Sequence, residues 1–353
     1  MPVIEEQVPK HIQLREILRG KIVNEHKHGE RLDSEPQLMK KYNISNTTVQ
    51  KAISTLVQEG LITRIQGKGT FVNRLSTLNR CNIVIPKDAF HEHSYYFDVI
   101  RGIEIVTSEA KIDVAIQTYS AEISGFSLEK FVKRLMSNPS SGMVIIPPPD
   151  CNEIVSLLKY NRPFVVIGNY PQYPEIYTIG IDTYNGAFQM AEYLIKKGHK
   201  KIALVGGLYG KSNSETDFLR GYKEAFTSHN IPVRGDWIME SKWLEEEGYR
   251  LTKILLQSKE RPTAIFAGDD TIAVGVIKAL TEASIKIPDE IVVVGFNDLD
   301  LATIVSPNLT TMRVPRLDIG KAACGMLLKL AHNQEIPQKQ ISFKTELVIR
   351  DSA

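Results

Sequence analysis

Apolar residues recur at helical spacing over residues 10–27, at Ile12, Leu14, Ile17, Leu18, Ile22 and Val23, and Gly29 ends the stripe. Ser34-Glu35-Pro36-Gln37 reads as an N-cap with proline just inside the next helix and glutamine at the capping-box position. That helix carries Leu38 and Met39 and ends near Tyr42-Asn43. Ser45 caps a third helix with Val49, Ala52, Ile53, Leu56 and Val57 on one face, stopped by Gly60. Two β-prone runs, Leu61–Ile65 and Thr70–Val72, then flank Gln66-Gly67-Lys68-Gly69 and predict a hairpin with a basic, glycine-rich tip. Three helices and a hairpin in about 70 residues form a winged helix-turn-helix pattern. The polar run 74–80 reads as a linker.

From Cys81 onward the pattern alternates. Candidate strands fall at 82–86, 112–118, 143–147, 164–168, 177–181, 202–206, 264–267 and 291–295. Helical stripes lie between them at 96–110, 126–137, 151–160, 184–197, 215–229, 245–258 and 272–284. Alternating β and α predicts parallel sheets covered by helices on both faces. So long a stretch exceeds one ordinary sheet, so two Rossmann-like subdomains are expected, with a ligand crevice outside the carboxyl ends of their strands.

Composition narrows the class. The chain has 353 residues, 42% hydrophobic and 24% charged, as in ordinary globular proteins. Cys81, Cys151 and Cys324 lack the spacing of a disulfide framework or a zinc site and fit a reducing cytoplasm. No apolar run reaches the roughly 18–20 residues of a membrane span, so no membrane partner is expected. The opening MPVIEEQVPKHIQ has early acids and no apolar core, unlike a signal peptide. The net charge is +2. Residues 1–73 carry 11 Lys/Arg against 8 Asp/Glu, an excess too small to argue for nucleic acid by itself.

The third helix argues better. With Val49, Ala52, Ile53 and Leu56 facing the core, its N-terminal end presents Ser45, Asn46, Thr47, Thr48, Gln50 and Lys51. Hydroxyls and amides there suit phosphates and base edges, and Lys68 at the hairpin tip suits a phosphate or the minor groove. The alternative is a solvated first turn that only caps the helix. Residues 9–73 resemble the GntR family of winged-helix regulators. The resemblance rests on Pro9-Lys10-His11-Ile12-Gln13, Gly29-Glu30-Arg31-Leu32 before Ser34-Glu35, Ser45-x-Thr47-Thr48-Val49-x-x-Ala52, Leu56-x-x-Glu59-Gly60-Leu61-Ile62 and Gly67-Lys68-Gly69-Thr70-Phe71-Val72. It implies binding to double-stranded operator DNA. The family commonly has arginines where this chain has Asn46, Gln50 and Pro36. Amides pair with adenine as arginine pairs with guanine, so the contacted steps are expected to be richer in A·T.

Residues 81–353 resemble the sensors of lactose- and galactose-type repressors, themselves similar to periplasmic sugar-binding proteins. The matching runs include Tyr95-Tyr96-x-x-Val99-Ile100-x-Gly102-Ile103-Glu104, Ile181-Asp182-x-x-x-Gly186-Ala187, Gly198-His199-x-x-Ile202-Ala203 and Gly221-Tyr222-x-x-Ala225. The most specific are Asp269-Asp270-x-x-Ala273-x-Gly275, Ile287-Pro288-Asp289-x-Ile291, Val294-Gly295-Phe296-Asn297-Asp298 and Pro307-x-Leu309-Thr310-Thr311. A winged helix fused to this sensor is similar to the arabinose-responsive repressors. The resemblance implies a homodimer, a small carbohydrate effector, no cofactor and no enzymatic activity. It divides the sensor into one subdomain of about 81–180 and 312–336 and another of about 181–311 and 337–353. Among effector residues it implies Trp243 as a stacking platform, or else a core tryptophan, and Asp269 and Asn297 as polar partners. Tyr96 and Asn169 fall in loops facing the same crevice. Where the family often has an arginine stands Phe218, with Arg220 or Asp217 as possible substitutes or merely solvated helix residues.

Other readings are weaker. Val205–Ser212 ends in Gly-Lys-Ser after a strand, but a phosphate-binding loop needs glycine where Val205 sits. His91-Glu92-His93 has no further clustered ligands and reads as a solvated rim. A transport-binding protein would not carry a winged helix.

Overall fold

A computed structural model describes residues 9–353 except 27–28, 59–60, 73–77, 88, 90–94, 121–124, 136–140, 148–151, 161, 207–211 and 333. The first unit has helices α1 (Lys10–Asn24), α2 (Glu35–Tyr42) and α3 (Asn46–Gln58) and an antiparallel hairpin of β1 (Ile62–Ile65) and β2 (Gly69–Val72). Leu14, Leu18, Ile22, Leu38, Val49, Ile53 and Leu56 form its core with Ile62 and Val72. The Gln37 side chain accepts from the Ser34 N–H at 2.8 Å, and Asn43 ends α2 in the left-handed conformation, at φ 49°. Ser45 Oγ accepts from the Thr48 N–H and caps α3. Ile17 and Val57, expected on the buried stripes, are exposed. Each lies at the edge of its stripe, where the small three-helix core no longer reaches.

The rest of the chain forms two six-stranded sheets. The first contains β3 (Arg80–Pro86), β4 (Asp113–Tyr119), β5 (Ser141–Ile145), β6 (Phe164–Ile167), β7 (Thr178–Ile181) and β13 (Gln340–Phe343), in the order β13-β7-β6-β5-β3-β4. The second contains β8 (Ile202–Val205), β9 (Ile238–Met239), β10 (Ala264–Ala267), β11 (Val292–Asn297), β12 (Thr310–Arg313) and β14 (Glu346–Val348), in the order β14-β12-β11-β10-β8-β9. All pairs in both sheets are parallel except β12 with β14. Strands β5, β8 and β10 are buried at every position, as continuous apolar runs between two helical layers must be.

The helices are α4 (Tyr95–Glu109), α5 (Leu128–Leu135), α6 (Thr183–Lys196), α7 (Asn213–Ser228), α8 (Glu245–Gln257), α9 (Asp270–Glu282), α10 (Leu301–Ile304) and α11 (Arg316–Ala331). Residues 152–160 form a 3₁₀ helix rather than an α-helix. Helix α11 escapes periodicity analysis because its apolar residues fall on nearly every side. Ile319, Ala323, Cys324, Met326 and Leu327 are all buried. Its crossing with α4 is close, and a Cβ at Gly320 would lie 2.0 Å from the Val99 carbonyl oxygen. Cys81 and Cys324, far apart in sequence, are both buried, free and adjacent in the core.

The chain crosses between sheets after β7, after β12 and after β13. This corrects the expected division, which gave all of 337–353 to the second subdomain. Residues 340–343 extend the edge of the first sheet by pairing with β7, and only then does the chain return as β14. β12 likewise stays in the second sheet to Arg313. The three crossings leave the carboxyl ends of strands in the two sheets, the end at which α/β folds of this kind place a ligand crevice.

Candidate effector cavity and DNA-facing surface

The cleft encloses a cavity of about 460 Å³, walled by Pro86, Tyr95, Tyr96, Ile146 and Asn169 from the first subdomain. Ser212, Glu215, Phe218, Trp243, Asp269, Thr271 and Asn297 come from the second. The structure therefore brings together Tyr96, Asn169, Trp243, Asp269 and Asn297, five of the residues singled out in the sequence.

Asp269 caps α9: one carboxylate oxygen accepts from the Thr271 N–H at 2.6 Å, and the other accepts from Asn297 Nδ2 at 2.6 Å. Asn297 is at φ 104° at the end of β11 and keeps its side-chain carbonyl and second amide N–H for other partners. Beneath them Asp270 is fully buried and accepts from the Thr311 hydroxyl and the Leu299 N–H, each at 2.6 Å. Burial pushes its carboxyl well above the usual range. Asn169 Nδ2 donates to the Ile181 carbonyl at 2.6 Å, which leaves its side-chain oxygen lying over Gly180, where any Cβ would collide with it. Tyr95 and Tyr96 pack edge to face, 4.9 Å apart. Burial, with Glu215 nearby, pushes the Tyr96 phenol up to about 12, so it stays a neutral hydrogen-bond donor. Trp243 is half-buried beside the core of the second subdomain and lines the cavity.

Asp217 and Arg220 do not line the cavity. They pair with each other at 3.0 Å, and the Arg220 guanidinium lies over the Tyr184 ring. The reason is helical phase: Glu215 and Phe218 share one face of α7, and 217 and 220 share another. Phe218 packs against Phe266 and Phe296 and gives the cavity an apolar wall. Sequence reasoning missed Glu215, which accepts from the Ser212 hydroxyl at 3.1 Å; the Ser212-x-x-Glu215 capping box was its signal.

Contacts also join the two subdomains around the cavity. Asn213 Nδ2 donates to the Asn169 carbonyl at 2.7 Å and to Gln172 Oε1 at 2.9 Å. Arg316 is buried and donates to Asp98 Oδ2 of α4 and to the backbone carbonyls of Asn297 and Asp298. Neither Arg316 nor Asp98 has a local motif that marks it in the sequence.

On the winged helix, Ser45, Asn46, Thr47, Gln50 and Lys51 are exposed along the start of α3, Thr48 is half-buried, and Lys68 is exposed at the hairpin tip. Gln50 Nε2 donates to Glu35 Oε2 at 3.3 Å, and Arg64 of β1 donates to Glu35 Oε1. Residues 207–211, which include Gly210 and Lys211 of the Gly-Lys-Ser run, lie outside the described residues, as do His91–His93 and Cys151, whereas Ser212 caps α7. Among the described residues no group of three or more metal-binding side chains occurs, and no helix is long and apolar enough to cross a membrane.

Comparison with known proteins agrees with this architecture. Residues 11–72 match the gntR family of bacterial regulatory proteins, and residues 191–353 match the periplasmic binding protein-like domain family. The chain is a transcription regulator, not an enzyme: a gntR-family DNA-binding domain joined to a periplasmic-binding-protein-like sensor of the LacI type. It is 28% identical to the arabinose metabolism transcriptional repressor of Geobacillus stearothermophilus over 99% of this chain and 98% of that protein. It is 26% identical to catabolite control protein A of Priestia megaterium, covering 88% and 91% of the two chains. A LacI-type transcriptional regulator from Bacillus cereus subsp. cytotoxis superposes with a TM-score of 0.71 at 28% identity, over 78% of this chain and 98% of that one.

Proposed function

We propose that this protein represses carbohydrate-utilisation genes in the cytoplasm as a homodimer bound to double-stranded operator DNA, and that a small neutral sugar in the cavity controls its operator affinity. The convergence of Tyr96, Asn169, Trp243, Asp269 and Asn297 on one cavity carries the reading. A sugar needs a flat apolar face for its C–H groups and convergent donors and acceptors for its hydroxyls, and this set supplies both. The charged side chains among the described walls are Glu215 and Asp269, so an anionic effector would meet carboxylates, whereas Phe218 suits a neutral ring. Ser45, Asn46, Thr47, Thr48, Gln50, Lys51 and Lys68 meet the operator, with Asn46 and Gln50 favouring adenine.

The sugar bridges the two subdomains and alters how the dimer spaces its winged helices. A coupling of about 1–3 kcal/mol changes operator affinity roughly 5- to 150-fold. Calorimetric titration with neutral pentoses, hexoses and disaccharides is expected to find a binder, weakened about tenfold by Trp243→Ala. Binding unchanged in that variant removes the stacking role. Operator affinity that is the same with and without the bound sugar refutes the switch.

A further inference from the structure

We propose that Glu35 is a positioning residue of the DNA-reading surface: it orients the Gln50 amide toward adenine and restrains Arg64 from indiscriminate phosphate contact. This rests on the DNA-binding reading above. The capping of α2 is done by Ser34 and Gln37, so the Glu35 carboxylate is not needed for it. That carboxylate instead ties three elements together, accepting from Gln50 of α3 through one oxygen and from Arg64 of the wing strand β1 through the other. All three side chains retain exposure, and Gln50 lies one helical turn from Asn46 on the same side of α3.

Two consequences follow from hydrogen-bond chemistry. Gln50 spends one N–H on Glu35, which decides the direction of its amide. What it still offers is one donor and one acceptor, the pair that matches adenine N7 and N6 in the major groove. A guanine edge presents two acceptors, N7 and O6, and opposes the Gln50 carbonyl. A freely rotating amide could turn both N–H groups to guanine; one held by Glu35 cannot. The second consequence is electrostatic. A carboxylate among phosphate-facing groups repels the backbone and occupies Arg64, so it weakens binding to any sequence while sharpening choice among sequences.

The test uses the full chain as wild type, Glu35→Ala and Glu35→Gln. Selection from random duplexes reads base preference, and anisotropy titration on a scrambled duplex over a salt series reads non-specific affinity. In Glu35→Ala the preference for A over G at the step lost in Gln50→Ala is expected to fall about tenfold. Scrambled-duplex binding tightens, and its salt slope steepens by about 0.9 as Arg64 reaches a phosphate. Glu35→Gln keeps an acceptor for Gln50 but loses the charge, so it retains the adenine preference while still tightening on scrambled DNA. A merely structural role would lower binding to both duplexes together, and that result overturns the proposal. If Glu35→Ala retains wild-type preference and scrambled affinity while the wild type is selective, this inference alone falls. A wild type that selects no sequence overturns the DNA-reading proposal and this one together.

Discussion

The proposed DNA-reading surface and the proposed effector cavity are built in opposite ways. The first is local: residues 45–51 supply nearly all of it from one helix end, and a hairpin some 20 residues on adds Lys68. Its groups are exposed except the half-buried Thr48, and Gln50 finds its partner Glu35 within the same small domain, 15 residues away. The cavity draws its walls from Pro86 to Ile319, through loops at the ends of two sheets, and its polar groups orient one another across long sequence separations. Asn213 reaches Asn169 across 44 residues, and Arg316 reaches Asp98 across 218. A surface of the first kind can change its specificity one residue at a time. A cavity of the second kind responds as a unit, which suits a sensor whose ligand must be felt by both halves.

Substitutions sharpen the contrast. The largest effect is expected from Asp269→Ala, which removes a helix cap and frees Asn297. Stability should fall by about 1–2 kcal/mol, and sugar affinity by tenfold or more, in thermal unfolding and calorimetry. Sugar affinity at the wild-type level would mean that the cavity is not coupled in this way. Lys68→Ala should leave the unfolding temperature unchanged and reduce the salt slope of operator binding by about 0.9, measured by anisotropy. A shift in stability instead would show that the wing is not the independent surface described above.

The smallest effect lies away from both sites. Hydrogen bonds from Lys159 and Tyr160, with the Ser156 hydroxyl nearby, hold the Glu129 carboxyl down to about 2. Because the folded value is the lower one, its contribution is present above the ordinary carboxylate range and is lost as pH falls toward 2. Glu129→Gln should therefore destabilise slightly at neutral pH and flatten the acid limb between about pH 4.5 and 2 in a thermal-unfolding series. DNA and sugar binding at neutral pH should not move.

Legibility in the sequence followed the same divide. The recognition helix could be read because an amphipathic stripe fixes which residues of one helix remain outside. The principal strands could be read because a doubly covered strand must be a continuous apolar run. β12, with Thr310 and Thr311, and β13, with Gln340 and Ser342, show no such run, because buried hydrogen bonds and an edge position make polar residues tolerable there. Trp243, Asp269 and Asn297 were reached through motif resemblance and Tyr96 and Asn169 through their place near strand ends, whereas helical phase turns Asp217 and Arg220 away from the cavity and Glu215 was overlooked.

By itself, the sequence determined the order of elements, the winged helix with its exposed amides, and the presence of two parallel sheets. These depend on spacing between near neighbours, which local sterics and burial dictate. Only the tertiary structure decided where the chain crosses between the sheets, which face of α7 meets the cavity, and that Arg316 joins Asp98 to the end of β11 at Asn297. Those depend on packing between distant segments, and no periodicity along the chain encodes a contact across 218 residues.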